Sequence, residues 1–448
     1  MEEMIQIPPD GFLAAFAELW ALPAGMDFNH VVKTSAFRSV RDYSNVHCYA
    51  QALGTFGDFP LARGLRQLGL PCFFEANSPL VSTDMELSAR QCYRALMQTH
   101  STHIYLCPLD NADCLPKIRF ANAEIREFTR SELEVLLNIE QLRRHWPRNK
   151  DFDTKNLARF TWLIVKEEVP LKKDIAKRNL SFLTEGFTDI GSIFPYRHRY
   201  PESVDKALFL LMLVPWEEWV TYPDAEWRSF NVPWVHTVDN DIFTQQQIMR
   251  GADTLTWIDT IYTTSTGEAV EEYVPYRGHC DFDEQVLLKI ASDRTNNNFA
   301  IAMRKGLINT AALHQFVKAF MFEGIDEFLA HIVVIDACMG ESKQESELIK
   351  DKKDKRLGAT GRLKYRLVGL LNDVSVKDSM TVLYDYRSKY VHGRDIFRII
   401  SSERNAARKL AREMLLAIIE LVGLEPELTR EQFLIRTLAK GNTLIGEE

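Results

Sequence analysis

From about residue 299 to the C-terminus, apolar residues recur at helical spacing, and nothing there alternates with the two-residue period of a strand. That change of period constrains the fold more than any other feature. A segment offering only helical faces must bury them against one another, so residues 299–448 are expected to form an all-α bundle. Thr310 stands as N-cap to a helix with Leu313, Phe316, Val317 and Phe320 on one face. Ile325–Met339 continues that helix or starts another, through Leu329, Ile332, Val333 and Cys338. After the charged stretch Glu341–Arg356, a solvated loop or helix end, Leu363–Leu371, Ser379–His392 and Glu403–Val422 read as three further helices. In the last of these, Leu410, Met414, Ile418 and Leu421 make the core stripe.

Upstream the pattern is mixed. Gly11–Trp20 has helical spacing, with Gly25 as its stop, and Leu87–Met97 and Ser131–Trp146 are helical. Leu70–Phe74 and Ile104–Cys107 look like short buried strands. Pro147–Asp153 is a polar break. From 150 to 295 the chain reads as strand and loop, and Trp216, Trp219, Trp227, Trp234 and Trp257, five of the eight tryptophans, crowd within it. Thr254–Thr264 alternates, Ser265–Glu268 supplies a turn and Tyr273–Tyr276 follows, which predicts a hairpin. The expected class is α+β, with a mixed α/β part at 1–148, a β-rich part at 149–298 and the helical part at 299–448.

Charge divides along the same line. The net charge of −8 argues against a nucleic-acid partner, but residues 301–448 hold 24 basic and 21 acidic side chains while residues 1–300 hold 30 and 41. The one basic part is therefore the helical part. Seven cysteines at irregular spacing are no disulfide framework, and Met1–Ile5 lacks the basic, apolar start of a signal peptide. The longest apolar run, Ala207–Trp216, is half the length of a bilayer span. A soluble, cytoplasmic protein without a membrane partner is expected.

The sharpest local feature is Asp385-Tyr-Arg-Ser-Lys-Tyr-Val-His-Gly393. Leu383, Tyr386 and Tyr390 mark the buried stripe of its helix, and Gly393 is the residue expected just past a helix end. Arg387 offers a permanent cation and His392 a group that gives and takes protons, a minimal set for phosphodiester chemistry. Spacing alone decides nothing, because Arg41 with His47 and Arg94 with His100 repeat it, and a histidine at a helix end also simply complements the helix dipole.

Residues 305–422 resemble the HEPN superfamily, in particular the ApeA-like HEPN domains of bacterial defence proteins. The likeness is carried by Ala311–Phe320, by the acidic helix Phe328–Gly340, and by Leu363–Leu371 followed by Leu383–Gly393, down to Arg-Ser-Lys and His-Gly. Asp336 stands where that family usually has Glu, and Cys338 where it usually has Leu. The resemblance implies a homodimer in which Arg387 and His392 of each copy line one cleft and cleave RNA without a metal or other cofactor. The 2′-OH attacks the neighbouring phosphate, leaving 2′,3′-cyclic phosphate ends. Ser388 would hydrogen-bond a phosphate oxygen, and Asp336 would orient Arg387 or His392 or serve only as a packing partner. Lys389, Arg394 and Arg366 are expected to follow the RNA backbone, with Arg398 and the stretch Lys343–Arg366, nine basic residues against four acidic. The setting implied is antiphage defence or a toxin-like abortive response, acting on RNA such as tRNA. Residues 1–298 would be sensor or regulator, answering to a phage-derived trigger. The competing reading is a non-catalytic HEPN dimerisation or nucleotide-binding module.

Other chemistry is weaker. His100, His103, Cys107 and Cys114 are zinc-suited residue types, but their spacing is not the CxxC knuckle that marks a strong zinc site, and Cys107 sits in an apolar strand pattern. The tryptophan-rich block reads as core before it reads as a base-stacking platform, and Tyr196–Tyr200 is the one place where basic and aromatic residues interleave there. No Gly-rich phosphate loop, HExxH or GxSxG is present, which removes the usual NTPase, dinucleotide, zincin and serine-hydrolase mechanisms.

Overall fold

A computed structural model describes residues 7–113, 115–147, 152–179, 200–221, 226–341, 357–393 and 399–446. The strands are β1 (His100–Leu109), β2 (Ile118–Phe120), β3 (Ala123–Glu127), β4 (Thr161–Pro170), β5 (His236–Asp239), β6 (Trp257–Thr263) and β7 (Ala269–Pro275). The chain is mixed α+β with a helical C-terminal region. Contacts gather it into two compact units rather than three consecutive ones. The first takes residues 1–109, 126–193 and 232–275, and the second takes 110–125, 194–231 and 276–448. The expected middle part, 149–298, is thus divided between two cores.

In the first unit β1 lies between β4 and β5, antiparallel to both. Beside this sheet, helices Asp10–Trp20, Ser35–His47, Gly54–Gln67 and Met85–Met97 close over Phe12, Phe16, Phe37, Leu61, Leu65, Cys92 and Leu96. Thr34 and Asp84 cap two of these helices through side-chain oxygens that accept from backbone N–H groups. Two expectations change here. Leu70–Phe74 is not a strand but a 3-10 turn over Pro71–Phe73, since proline at its first position has no N–H to give a ladder. Ser131–Trp146 is broken into Arg130–Leu136 and Ile139–His145, because Asn138 adopts a left-handed conformation and caps the second helix.

In the second unit the stretch expected as strand and loop contains the helix Glu202–Met212. Its residues Ala207–Met212 are buried all round, so no polar face marks its period in the sequence. Phe209 stacks on Phe299 at 4.8 Å between ring centroids and meets Phe316 edge-on at 5.4 Å. Thr310–Met321 and Gly324–Met339 pair, the first capped by Asn309 rather than by Thr310. Helices Ala359–Leu371 and Arg430–Gly446 cross backbone to backbone: a Cβ at Gly369 would overlap the Thr437 carbonyl, and one at Gly441 that of Tyr365. Ser401–Leu424 completes the core through Leu410, Met414, Leu415 and Ile418. The helices Asp293–Arg304 and Arg430–Gly446 lie beyond the expected set.

Trp216, Trp227 and Trp234 are buried, so these three tryptophans are core and not a stacking surface. Among the described residues, no helix is long and apolar enough to cross a membrane.

Candidate functional site

Arg387 and Ser388 lie on the last turns of the helix Val376–Val391, and His392 is its C-cap. The stop is built as its sequence predicts. The His392 N–H donates to the Ser388 carbonyl at 3.1 Å, and Gly393, at φ +61°, donates to Tyr390 at 3.0 Å. His392 is exposed and Ser388 half-buried.

Asp336 comes from the helix Gly324–Met339 and stands 3.8 Å from Arg387, whose side chain is 38% exposed. Tyr384, one turn before Arg387, donates its hydroxyl to the same carboxylate. The Arg387 guanidinium lies 5.6 Å from the Tyr384 ring centroid. Burial pushes the Asp336 carboxyl up to about 6, and Arg387 opposes the shift without cancelling it. Asp336 thus faces Arg387 across two helices. The arginine is held loosely, by one long ion pair and one ring.

The apolar stripe of this helix ends sooner than expected. Leu383 is buried, but Tyr386 is only half-buried and Tyr390, with Val382 and Val391, is exposed. Lys389 pairs with Asp385 at 2.8 Å on its own helix.

Arg366 is not where RNA could reach it. It is fully buried, and it donates to the carbonyls of Leu434 at 3.3 Å and Met339 at 2.9 Å and to Glu341. Arg362 donates to Glu341 as well, and Arg430 donates to the carbonyls of Cys338, Ala337 and Gly340. These three arginines tie down the C-terminal end of Gly324–Met339, the helix that carries Asp336. Arg394 and Arg398, and residues 343–356 of the basic stretch, lie outside the described residues, as do Tyr196–Arg199.

A second charged cluster, unanticipated in the sequence, fills the core of the same unit. Glu327 accepts from Arg408 at 3.2 Å and from Arg404 at 3.4 Å, and Arg408 lies 3.7 Å over the Trp227 ring. His331 Nε2 is 4.0 Å from Glu327, beyond hydrogen-bond reach. Burial and the charges of Arg408, Arg412 and Arg228 hold that ring well below its ordinary range, hence neutral. The signal was Arg404, Arg408 and Arg412 at four-residue spacing beside an apolar stripe, a placement that puts long cations into a core.

The zinc-suited residues do not converge. His100 lies on the opposite face of β1 from His103 and Cys107, Cys107 is buried among apolar neighbours, and Cys114 lies outside the described residues. His103 instead sits between Glu167 and Asp239 on the flanking strands, with its Nε2 3.3 Å from Asp239. Burial works against the charged ring, but the Asp239 hydrogen bond and the charges of Asp239, Glu167 and Asp241 outweigh it and raise His103. Sequence could not reveal this row, because Asp239 is remote in the chain and only strand register brings it to His103. Among the described residues no group of three or more His, Cys, Asp or Glu is disposed to hold a metal.

No family model matches this chain, and neither a curated protein nor a solved structure matches it.

Proposed function

We propose that the helical region is HEPN-like and that the protein is a metal-independent endoribonuclease acting as a homodimer. The observation that carries this reading is the presence at one helix end of an exposed histidine, His392, and a half-open arginine, Arg387, that a half-buried acid faces from a neighbouring helix. Arg366, by contrast, is fully buried, with Nε, Nη1 and Nη2 each donating inside the fold. The exposed Val382, Tyr390 and Val391 around the pair supply an apolar surface for a second copy.

In the reaction, His392 of one copy takes the proton of the ribose 2′-OH as the oxygen attacks phosphorus. The bond to the 5′-oxygen breaks, and His392 of the other copy returns a proton to that oxygen. Arg387 neutralises the added charge on the phosphorane, and Ser388 hydrogen-bonds a non-bridging oxygen. Asp336 and Tyr384 position Arg387. Residues 1–298 act as sensor or regulator, in antiphage defence or a toxin-like abortive response.

The test is incubation of the purified protein with total RNA in EDTA, beside His392→Ala and Arg387→Ala. Cleavage that survives EDTA, leaves cyclic phosphate ends and disappears in both variants is the expected result. Wild-type protein that dimerises yet leaves RNA intact, with and without lysate from phage-infected cells, points instead to a scaffold that joins two N-terminal regions.

A further inference from the structure

Among the described residues, the ribbon formed by β6 and β7 has no neighbour on either side in its sheet. Its base is anchored: Trp257 stacks on Tyr273 at 5.3 Å, meets Phe160 edge-on and donates its indole N–H to the Ala252 carbonyl at 2.7 Å. At its far end Gly267, at φ +86°, closes the turn. Between these points the ribbon is uncovered on both faces, with Ile261 70% exposed on one and Tyr262 46% exposed on the other. A two-stranded ribbon of this kind is marginal alone in water, and its apolar side chains gain most by being covered.

The two edges differ. Along β7, Arg159 donates to the Tyr273 carbonyl at 3.2 Å and pairs with Glu272 at 2.8 Å, and Pro275 ends the strand. Along β6, among the described residues, no backbone group bonds outside the ribbon. β6 also contains no proline and no lysine, the residues with which open edges are usually blunted.

Charge selects what can pair there. Trp257–Pro275 carries four carboxylates, Asp259, Glu268, Glu271 and Glu272, and no lysine or arginine. Register puts Asp259 opposite Tyr273 and Glu271 opposite Ile261, so both acids share the face of Trp257, Ile261 and Tyr273. Two copies joined edge to edge would bring eight carboxylates together, so like-charge repulsion disfavours self-pairing.

We propose that β6 is the docking edge for an extended cationic segment of a partner protein, added as a third strand. Its lysines or arginines alternate with apolar residues and meet Asp259 and Glu271, while main-chain hydrogen bonds to β6 supply affinity. This rests on the ribbon alone and is independent of the ribonuclease reading.

The test uses the full chain and two fluorescein-labelled octapeptides, one alternating Lys and Val and the other Glu and Val, followed by anisotropy. The wild type should bind the Lys–Val peptide in a salt-sensitive way and ignore the Glu–Val one. Asp259→Lys combined with Glu271→Lys, both on exposed positions, should weaken the first by at least about tenfold and gain the second. Ile261→Pro should lose Lys–Val binding while its melting temperature stays within a few degrees. A wild type that binds neither peptide, or both equally, overturns the proposal. So does a double variant that keeps Lys–Val binding, or a wild-type mass that rises with concentration through β6.

Discussion

Two charged clusters in the helical region use the same residue types and end in opposite states. Around Glu327 and Glu341, Arg408 and Arg366 are buried and donate to carboxylates and carbonyls, with Arg408 also against an aromatic face. Around Asp336, Arg387 is half-open, with one 3.8 Å contact to the acid and a tyrosine ring beside it. Residue type therefore does not separate architecture from chemistry. What separates them is burial: the guanidiniums of Arg366 and Arg408 are spent inside the fold on helix ends and a core acid, whereas that of Arg387 is open to solvent.

The largest effect that tests this contrast is expected at Glu327. Glu327→Ala leaves Arg404 and Arg408 in the core without their acid and should cost about 3–5 kcal/mol, read as a fall in the denaturant midpoint. Adding Arg408→Met should recover much of that loss. If the single variant is as stable as the wild type, the cluster is not the closed network described.

Arg387→Ala should do the reverse. Stability should move by less than about 1 kcal/mol, while EDTA-resistant RNA cleavage falls by about 10²–10³-fold. A variant that unfolds instead would make Arg387 a structural residue like Arg366.

Gly441→Ala tests the close crossing of Ala359–Leu371 with Arg430–Gly446. The added methyl meets the Tyr365 carbonyl, and overpacking of about 1–3 kcal/mol should appear as a lower melting temperature.

The smallest effect is a pH dependence at Asp336. Its carboxyl titrates near 6 in the folded protein, above the roughly 3.9 of an unfolded aspartate. Between those values the folded state holds more protons than the unfolded one. The stability this group contributes is therefore full below about pH 4 and is lost as pH rises through 6. Asp336→Asn cannot ionise, so its melting temperature should gain on the wild type between pH 4 and pH 7. A constant difference across that range would remove the burial account.

Much of the candidate site was legible in the sequence because it is local. The helix over Ser379–His392 and its stop at Gly393 follow from helical spacing and from the need for a left-handed residue after the last turn. Asp336 opposite Arg387 was legible only as a resemblance, since the contact joins two helices. Tyr384 passed unread, because a tyrosine one turn from an arginine is common on any helix. Arg366 misled for the opposite reason: in a basic stretch it looks like surface, yet its side chain passes into the core to reach Glu341.

The sequence by itself determined where the helix over Ser379–His392 stops, where the β6–β7 turn falls and that the last third is helical. Such choices are made within a turn or two of chain, by caps, glycines and apolar spacing. Tertiary structure alone decided that Ala207–Met212 joins the helical core, that the middle third is shared between two units, that Asp239 flanks His103 and which arginines remain unsaturated. These outcomes depend on burial and on partners distant in the chain, and nothing local to a residue records how many of its hydrogen bonds a remote segment will claim.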